Sequence, residues 1–236
     1  MRAKQFMCDN TRYINTTQQK YQSGAIMMDR NLGATSVIPV QFNAETTDFS
    51  AYGLYYQWGR KDPFPYLGNS APNNPVSATS PSVPAGMDQA VSHPLEAYDS
   101  VAWDNDADPW SSSKTMYDPC PYGWRVADKT VWNGWTNEIT NYHDSYKKIQ
   151  PPYSTPAAYY PYADRVEGIN NWTNALNDNV FCWSSDRGSN LYAHSSWACF
   201  ELNDYGSSTR MPVRCMKEQD VESGDNEGYT GSDYEW

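Results

Sequence analysis

Short apolar and aromatic runs alternate with polar stretches along this chain, in the pattern of a protein built from β-strands. Most of the runs mix Tyr, Trp, Val, Ile or Phe, and this composition favours strands over helices. Glycine, asparagine and proline separate the runs, as is typical of turns. Strands are predicted at residues 24–30, 52–59, 179–185, 197–203 and 210–217. Within the last of these, Pro212 has no N–H to donate and is expected at an edge or a bulge.

One segment, residues 128–139 (DKTVWNGWTNEI), has helical spacing. Its apolar positions fall on one stripe of a helix. The stripe consists of Val131, Trp132, Trp135 and Ile139. Asp128 precedes it and is suited to cap the free amide groups of the first turn. The pattern predicts one main helix.

Two long stretches, residues 61–115 and 142–178, lack regular apolar spacing and are rich in proline and polar residues. Loops of this length in a compact domain are usually functional or irregularly packed. We therefore expect long ordered loops within one domain rather than a linker. Together with the strands and the helix, they predict an α+β fold with a twisted, mixed or antiparallel sheet. Residues 219–236 are acidic and glycine-rich, the composition of a tail.

Composition narrows the range of partners. The 236 residues are enough for one large domain or two small ones, and 15% of them are aromatic. With 17 Lys and Arg against 28 Asp and Glu, the net charge is −11. This balance argues against nucleic acid, whose phosphates require a positive surface, and against anionic membrane surfaces. No apolar run is long enough to span a bilayer, so membrane insertion is not expected.

Four sequence blocks occur in an order that resembles a known family. They are AIMMDRNLGATS (25–36), YGLYYQWGRKDPFP (52–65), YDPCPYGWRV (117–126) and MPVRCMKE (211–218). Together they resemble the FISUMP type (Fibrobacter succinogenes major paralogous) of bacterial surface and fimbrial domains. The resemblance implies a C-type-lectin-like fold, related to formylglycine-generating enzyme and to phage receptor-binding proteins. It places one ligand-binding domain at residues 24–218, between an N-terminal extension at 1–23 and the acidic tail.

The resemblance also implies a place and a role. It points to an extracellular recognition module on the bacterial surface or at the tip of a fimbria, with an unknown protein or glycan as its ligand and other fimbrial subunits as further partners. Residues 1–23 contain no apolar stretch like that of a signal peptide, so any targeting segment is expected upstream. Two alternatives stay open: an enzyme of the sulfatase-modifying branch, and a structural fimbrial subunit.

Five cysteines leave one thiol over if two disulfides form. Cys120 and Cys215 lie in two of the resembling blocks, and we expect them to be bonded and to clamp the ends of the domain. In the alternative, all five are reduced and buried. Formylglycine-generating enzyme, to which the FISUMP type is related, binds copper through a cysteine pair. For Cys182 and Cys199, which lie on successive predicted strands, a cross-strand disulfide or two small buried side chains are both favoured over such a pair.

Metal and catalytic motifs are sparse. Asp104, Asp106 and Asp108 alternate as in the opening of a calcium loop, but the glycine and glutamate that complete an EF-hand are missing. Calcium here and a solvated acidic turn remain alternatives, and no other cofactor is expected. The three histidines lie in no recognisable metal or triad motif. The sequence therefore favours a protein that is not an enzyme.

Residues 186–210 have the composition of a binding face. An apolar framework alternates there with Tyr, Ser, Asn and Gly, which combine rigid contact area with adaptable hydrogen bonding. The segment resembles the variable region of proteins diversified by a diversity-generating retroelement; an ordinary polar hairpin is the alternative. We expect ten side chains to form one solvent-facing surface for ligand recognition. They are Asp186, Arg187, Asn190, Tyr192, His194, Asp204, Tyr205, Ser207, Ser208 and Arg210.

Five tryptophans are expected in the core, because they lie in the resembling blocks, on a predicted strand or on the helical stripe. They are Trp58, Trp124, Trp132, Trp135 and Trp183.

Overall fold

The chain folds mainly into short β-strands. The computed structural model describes residues 18–39, 49–64, 85–86, 101–102, 109–110, 113–132, 135, 140–143, 146–167, 171–172, 179–194, 201–204 and 209–219. The strands in this part are β1 (Gln18–Tyr21), β2 (Ile26–Met28), β3 (Tyr55–Gln57), β4 (Ala85–Gly86), β5 (Val101–Ala102), β6 (Trp124–Val126), β7 (Thr140–His143), β8 (Tyr146–Ile149), β9 (Ser154–Thr155), β10 (Ala158–Pro161), β11 (Val166–Glu167), β12 (Asn171–Trp172), β13 (Asn179–Trp183), β14 (Ser189–His194), β15 (Glu201–Asp204), β16 (Arg210–Pro212) and β17 (Cys215–Lys217). Among the described residues, no helix is long and apolar enough to cross a membrane.

The strands form small sheets, and the two largest of them combine strands that are distant in sequence. The largest has the order β6-β17-β2-β1-β9, so the first and last described strands both flank β2. A second sheet has the order β12-β11-β16-β3, and two three-stranded sheets have the orders β10-β8-β7 and β13-β14-β15. In the described part, all of these sheets are antiparallel, and only the two-residue pair β4·β5 forms a parallel ladder. β1 lies within residues 1–23, so the folded part begins before the predicted boundary at residue 24.

The expectation of an α+β, C-type-lectin-like fold with one main helix is wrong. No helix in the described part reaches seven residues, and the helical segments there are the 3-10 turns Phe49–Ala51 and Lys129–Trp132. Around the second turn the backbone bonds join residues three apart, from Val131 N to Asp128 O and from Trp135 N to Trp132 O. β-branched and aromatic residues have weak helix propensity, so the intrinsic preference for a full α-helix is small here.

The apolar stripe of that segment is nevertheless buried. Val131, Trp132 and Trp135 all lie in the first core cluster, together with Tyr21 and Tyr160. Ile139 lies outside the described residues. Spacings of three and four residues bring side chains to one side in either kind of helical turn, so the stripe predicted burial correctly and helix type wrongly.

Four of the five tryptophans are buried as predicted: Trp58, Trp132, Trp135 and Trp183. Trp124 is partly buried against the second core cluster. A buried indole N–H requires an acceptor. Trp58 donates to the carbonyl of Ser184 and Trp183 to the carbonyl of Tyr56, at 3.1 and 2.8 Å.

The predicted disulfide between Cys120 and Cys215 is confirmed. It joins β17 to the loop before β6, and both residues are buried. Lys114 reinforces this loop, since its ammonium group donates to the Asp118 carboxylate and to the carbonyls of Cys120 and Trp124. Burial lowers the pKa of Lys114, whereas the charge of Asp118 acts in the opposite direction.

The predicted strand at 210–217 is two strands, β16 and β17, which belong to different sheets. Pro212 is the last residue of β16 and lies opposite Tyr55 of β3. On its other side, β16 pairs with β11 only through Arg210. At Pro212, β16 is therefore paired with β3 on one side only. A residue that has no N–H to donate is accommodated at such a position.

Candidate functional site

The candidate recognition segment begins in an antiparallel hairpin that separates two core clusters. In β13, Val180 and Cys182 pack into the first cluster, while Phe181 and Trp183 pack into the second. Successive side chains of a strand point to opposite sides, so both faces of β13 are covered. β14 is buried less completely, because Tyr192 and His194 are partly exposed.

We call the side of this hairpin that carries Asn179, Phe181, Tyr192 and His194 the hairpin face. The register pairs Asn179 with His194 and Phe181 with Tyr192, so these four residues form two adjacent cross-strand pairs on one side. The rings of Phe181 and Tyr192 are stacked, with their centroids 4.9 Å apart and their planes at 24°. A buried ring therefore supports Tyr192 from below.

Arg165 adds a cation to the hairpin face. Its guanidinium carbon lies 4.3 Å from the centroid of the Phe181 ring, which is the geometry of a cation–π contact. The segment before β11 is held there because Asp164 N donates to the carbonyl of Asn179. Sequence reasoning missed Arg165, since nothing in the local pattern of YYPYADRV links residue 165 to residue 181.

Asp186, at the hairpin turn, is structural. Its carboxylate accepts hydrogen bonds from Lys129 N and from Ser184 Oγ, both at 2.8 Å, and lies 3.8 Å from Lys129 Nζ. It thus caps the first amide of the turn Lys129–Trp132, which is distant in sequence. Arg187, the next residue, is exposed.

Alanine substitutions at Asp186 and Arg187 test whether Asp186 caps the turn. Replacing Asp186 with alanine is expected to lower the free energy of unfolding by about 1 kcal/mol, because an amide of the 129–132 turn loses its cap. The matched change Arg187→Ala, at an exposed neighbour, is expected to stay within about 0.5 kcal/mol of the parent protein. Urea denaturation followed by fluorescence measures both. Equal stability of the two variants would show that Asp186 does not cap the turn.

Two of the ten predicted surface residues do not face solvent. Asn190 is 0% exposed and Arg210 is 2% exposed, so the prediction that they are solvent-facing is wrong. Asn190 pairs with Trp183 across the hairpin. It therefore lies on the side of the hairpin that the second cluster covers. Arg210 lies on β16 in another sheet, where its guanidinium carbon is 5.3 Å from the Phe64 ring.

Arg210 belongs to a buried basic pair with Arg60, whose guanidinium carbon lies 5.2 Å from the same ring. Burial, together with the nearby charge of Arg60, lowers the pKa of Arg210 to about 10. The Arg210 guanidinium group is therefore still charged at neutral pH.

The remaining predicted site residues are only partly placed. Asp204 lies on β15 opposite Ser189, and Tyr205, Ser207 and Ser208 lie outside the described residues. Asp104, Asp106 and Asp108 also lie outside them. Within the described residues, no group of three or more His, Cys, Asp or Glu side chains is arranged to hold a metal ion.

Cys182 is a buried free thiol. Cys182 is therefore a small buried side chain and not half of a cross-strand disulfide with Cys199. Cys199 lies outside the described residues. Burial raises the pKa of the Cys182 thiol to about 12. The thiol form therefore prevails at neutral pH, whereas nucleophiles and metal ligands require the thiolate.

The core also contains a buried cation that the sequence did not reveal. Arg214 is fully buried, donates to Asn31 Oδ1 and to the carbonyl of Tyr159, and stacks on the Tyr160 ring at 3.8 Å. Tyr160 in turn shares a 2.7 Å hydrogen bond with Tyr21. Arg214 therefore bridges three distant parts of the chain.

Comparison of this sequence and structure with protein-family models, with curated proteins and with solved structures found no match.

Proposed function

We propose that this protein recognises a ligand at the bacterial cell surface without catalysing a reaction, and that the hairpin face is part of the recognition surface. The proposal joins the FISUMP-type resemblance of the four sequence blocks to the geometry around Tyr192. On this proposal the chain acts in adhesion, as a surface or fimbrial module.

The stacked Tyr192 is the observation that supports the proposal. Its ring rests on the buried Phe181 and is itself only partly buried. Tyrosines held in this way on a rigid strand lose little conformational entropy on binding, and they are common among residues that dominate binding energy. The exposed part of Tyr192 is therefore suited to act as an anchor for a ligand.

The disulfide between Cys120 and Cys215 supports the proposed location. Structural disulfides form and persist mainly in oxidising places such as the bacterial periplasm and the cell surface.

A binding experiment with matched tyrosines tests the proposal. Tyr192→Ala is expected to weaken binding to immobilised glycans or host-cell proteins by about tenfold, because it removes the aromatic anchor. Tyr159→Ala is the control, since Tyr159 is also partly buried and also in an aromatic pair, with Tyr146 at 5.4 Å, but lies on β10 in another sheet. Both variants are first checked by near-ultraviolet circular dichroism.

Binding is measured on glycan and protein arrays and then by calorimetry with each ligand that is found. Equal loss in the two variants would indicate a general effect of losing a tyrosine. Normal binding by the Tyr192 variant would place recognition elsewhere on the chain.

A further inference from the structure

A cavity of about 200 Å³ opens to solvent at one end of the largest sheet. It lies between residues 24–26, where β2 begins, and residues 216–219, where β17 ends. β17 pairs with β2 only through Met216 and Met27, so beyond this pair the two strands no longer form a ladder. The cavity lies between the two unpaired ends, and we call it the strand-end pocket.

The strand-end pocket suits a phenol ring. Ala25 and Met216, which also belong to the first core cluster, supply apolar lining, and Glu218 and Gln219 supply polar lining. A cavity of about 150 Å³ is enough to hold benzene, so this pocket is large enough for one aromatic ring. The side-chain oxygens of Glu218 and Gln219 are acceptors for a phenol hydroxyl group.

A tyrosine side chain projects into solvent beside the strand-end pocket. Tyr122 is 91% exposed, and no other large hydrophobic residue in the described part of the chain is more exposed. The carbonyl of the next residue, Gly123, accepts a hydrogen bond from Glu218 N, so the turn that carries Tyr122 adjoins the pocket wall. Because Tyr122 is so exposed, its ring does not fill the pocket of its own chain.

The turn that carries Tyr122 is held firmly. Trp124 N donates to the carbonyl of Pro121 across the turn. Cys120, just before it, is fixed by the disulfide, and Lys114 Nζ donates to the carbonyls of Cys120 and Trp124 on both sides of the turn. An aromatic ring on a backbone held in this way loses little conformational entropy when it binds.

We propose that two copies of this chain associate about a two-fold axis, with Tyr122 of each copy inserted into the strand-end pocket of the other. A two-fold interface uses the same surface of both copies, so a projecting group and the pocket that receives it must lie side by side on one surface. Tyr122 and the strand-end pocket meet this condition. The inference goes beyond the proposed function, since it uses no residue of the hairpin face.

Charge complementarity at the pocket rim favours this contact. Lys217 and Glu218 have opposite charges, and a two-fold axis can bring Lys217 of one copy against Glu218 of the other. The rim therefore differs from the surface of a nucleic acid or an anionic membrane, which carries charge of one sign only. Each copy still has a net charge of −11, so two copies repel each other at long range.

Sedimentation velocity of the purified chain over a range of about 1 to 300 µM tests the inference. The contact is small, so a monomer is expected at the low end of this range and an increasing share of dimer at the high end. Raising the salt concentration is expected to strengthen the dimer severalfold, because salt screens the long-range repulsion.

Two variants remove the two halves of the contact. Tyr122→Ala removes the ring and Gln219→Trp fills the pocket, and each is expected to weaken association by about tenfold or more. Both positions are exposed, so the fold is expected to be kept, which circular dichroism checks. Phe49→Ala is the matched control, since Phe49 is also an exposed aromatic residue but lies in the turn Phe49–Ala51. This control is expected to associate like the parent protein.

A mixture of the two variants gives the sharpest test. The Gln219→Trp copy keeps its Tyr122, and the Tyr122→Ala copy keeps an open pocket, so a mixed dimer regains one of the two contacts. The mixture is therefore expected to associate more tightly than either variant alone and less tightly than the parent protein.

Four results would each overturn the inference. They are a parent chain that stays monomeric over the whole concentration range, a dimer that persists in both variants, equal effects of Tyr122→Ala and Phe49→Ala, and a mixture that associates no better than its components. A dimer that weakens as salt is raised would show that charged groups hold the copies together, which also contradicts insertion of the ring. None of these results involves Tyr192, so the proposed function is decided by its own experiment.

Discussion

Replacing Cys120 and Cys215 together with alanine is expected to lower the free energy of unfolding by about 4 to 5 kcal/mol. The bond closes a loop across a sequence separation of 95 residues, and opening it restores chain entropy to the unfolded state. For a chain of this size, such a loss corresponds to a fall in Tm of roughly 10 °C or more. Calorimetry of the parent and the double variant measures it.

The matched control is Cys182→Ala, which removes one buried thiol and no cross-link. Its cost is expected to be about 1 kcal/mol, as for a small change in a packed core. If the double variant were no less stable than this control, the disulfide would not be a main source of stability. If reductant left the Tm of the double variant unchanged, no other disulfide would contribute to its stability.

Replacing Trp183 with alanine is expected to cost about 3 to 5 kcal/mol. The side chain is fully buried in the second cluster, and its removal leaves a large cavity beneath the candidate site. The carbonyl of Tyr56 also loses its donor. Urea denaturation followed by circular dichroism measures the loss.

Tyr122→Ala is the control for this change, since Tyr122 is 91% exposed. Its stability is expected to remain within about 0.5 kcal/mol of the parent protein. A Trp183 variant that stayed within about 1 kcal/mol of this control would mean that the core around β13 repacks, contrary to the close packing expected of such interiors.

The candidate site shows where local pattern stops being informative. Tyr192 and Arg187 are at least partly exposed, as strand alternation and the position of the turn predicted. At these two positions the residues adjacent in sequence determine the exposure of the side chain. Asp186 has the same polar character, yet its partners are Lys129 and Ser184. No spacing within 186–210 could identify a partner at residue 129.

The sequence by itself predicted the strands that lie in apolar runs and the burial of the stripe around the 129–132 turn. It did not predict β8 to β12, which lie within the predicted loop at 142–178. Apolar runs at 24–30, 52–59 and 179–185 contain β2, β3 and β13, since burial of a short apolar run depends mostly on its own composition. Only the tertiary structure decided which face of a strand is covered. Asn190, Arg210 and Arg214 are polar or charged residues that became buried because distant strands and rings enclose them. A turn at 129–132 replaced the helix for the same reason: contacts across the fold outweighed a weak local preference.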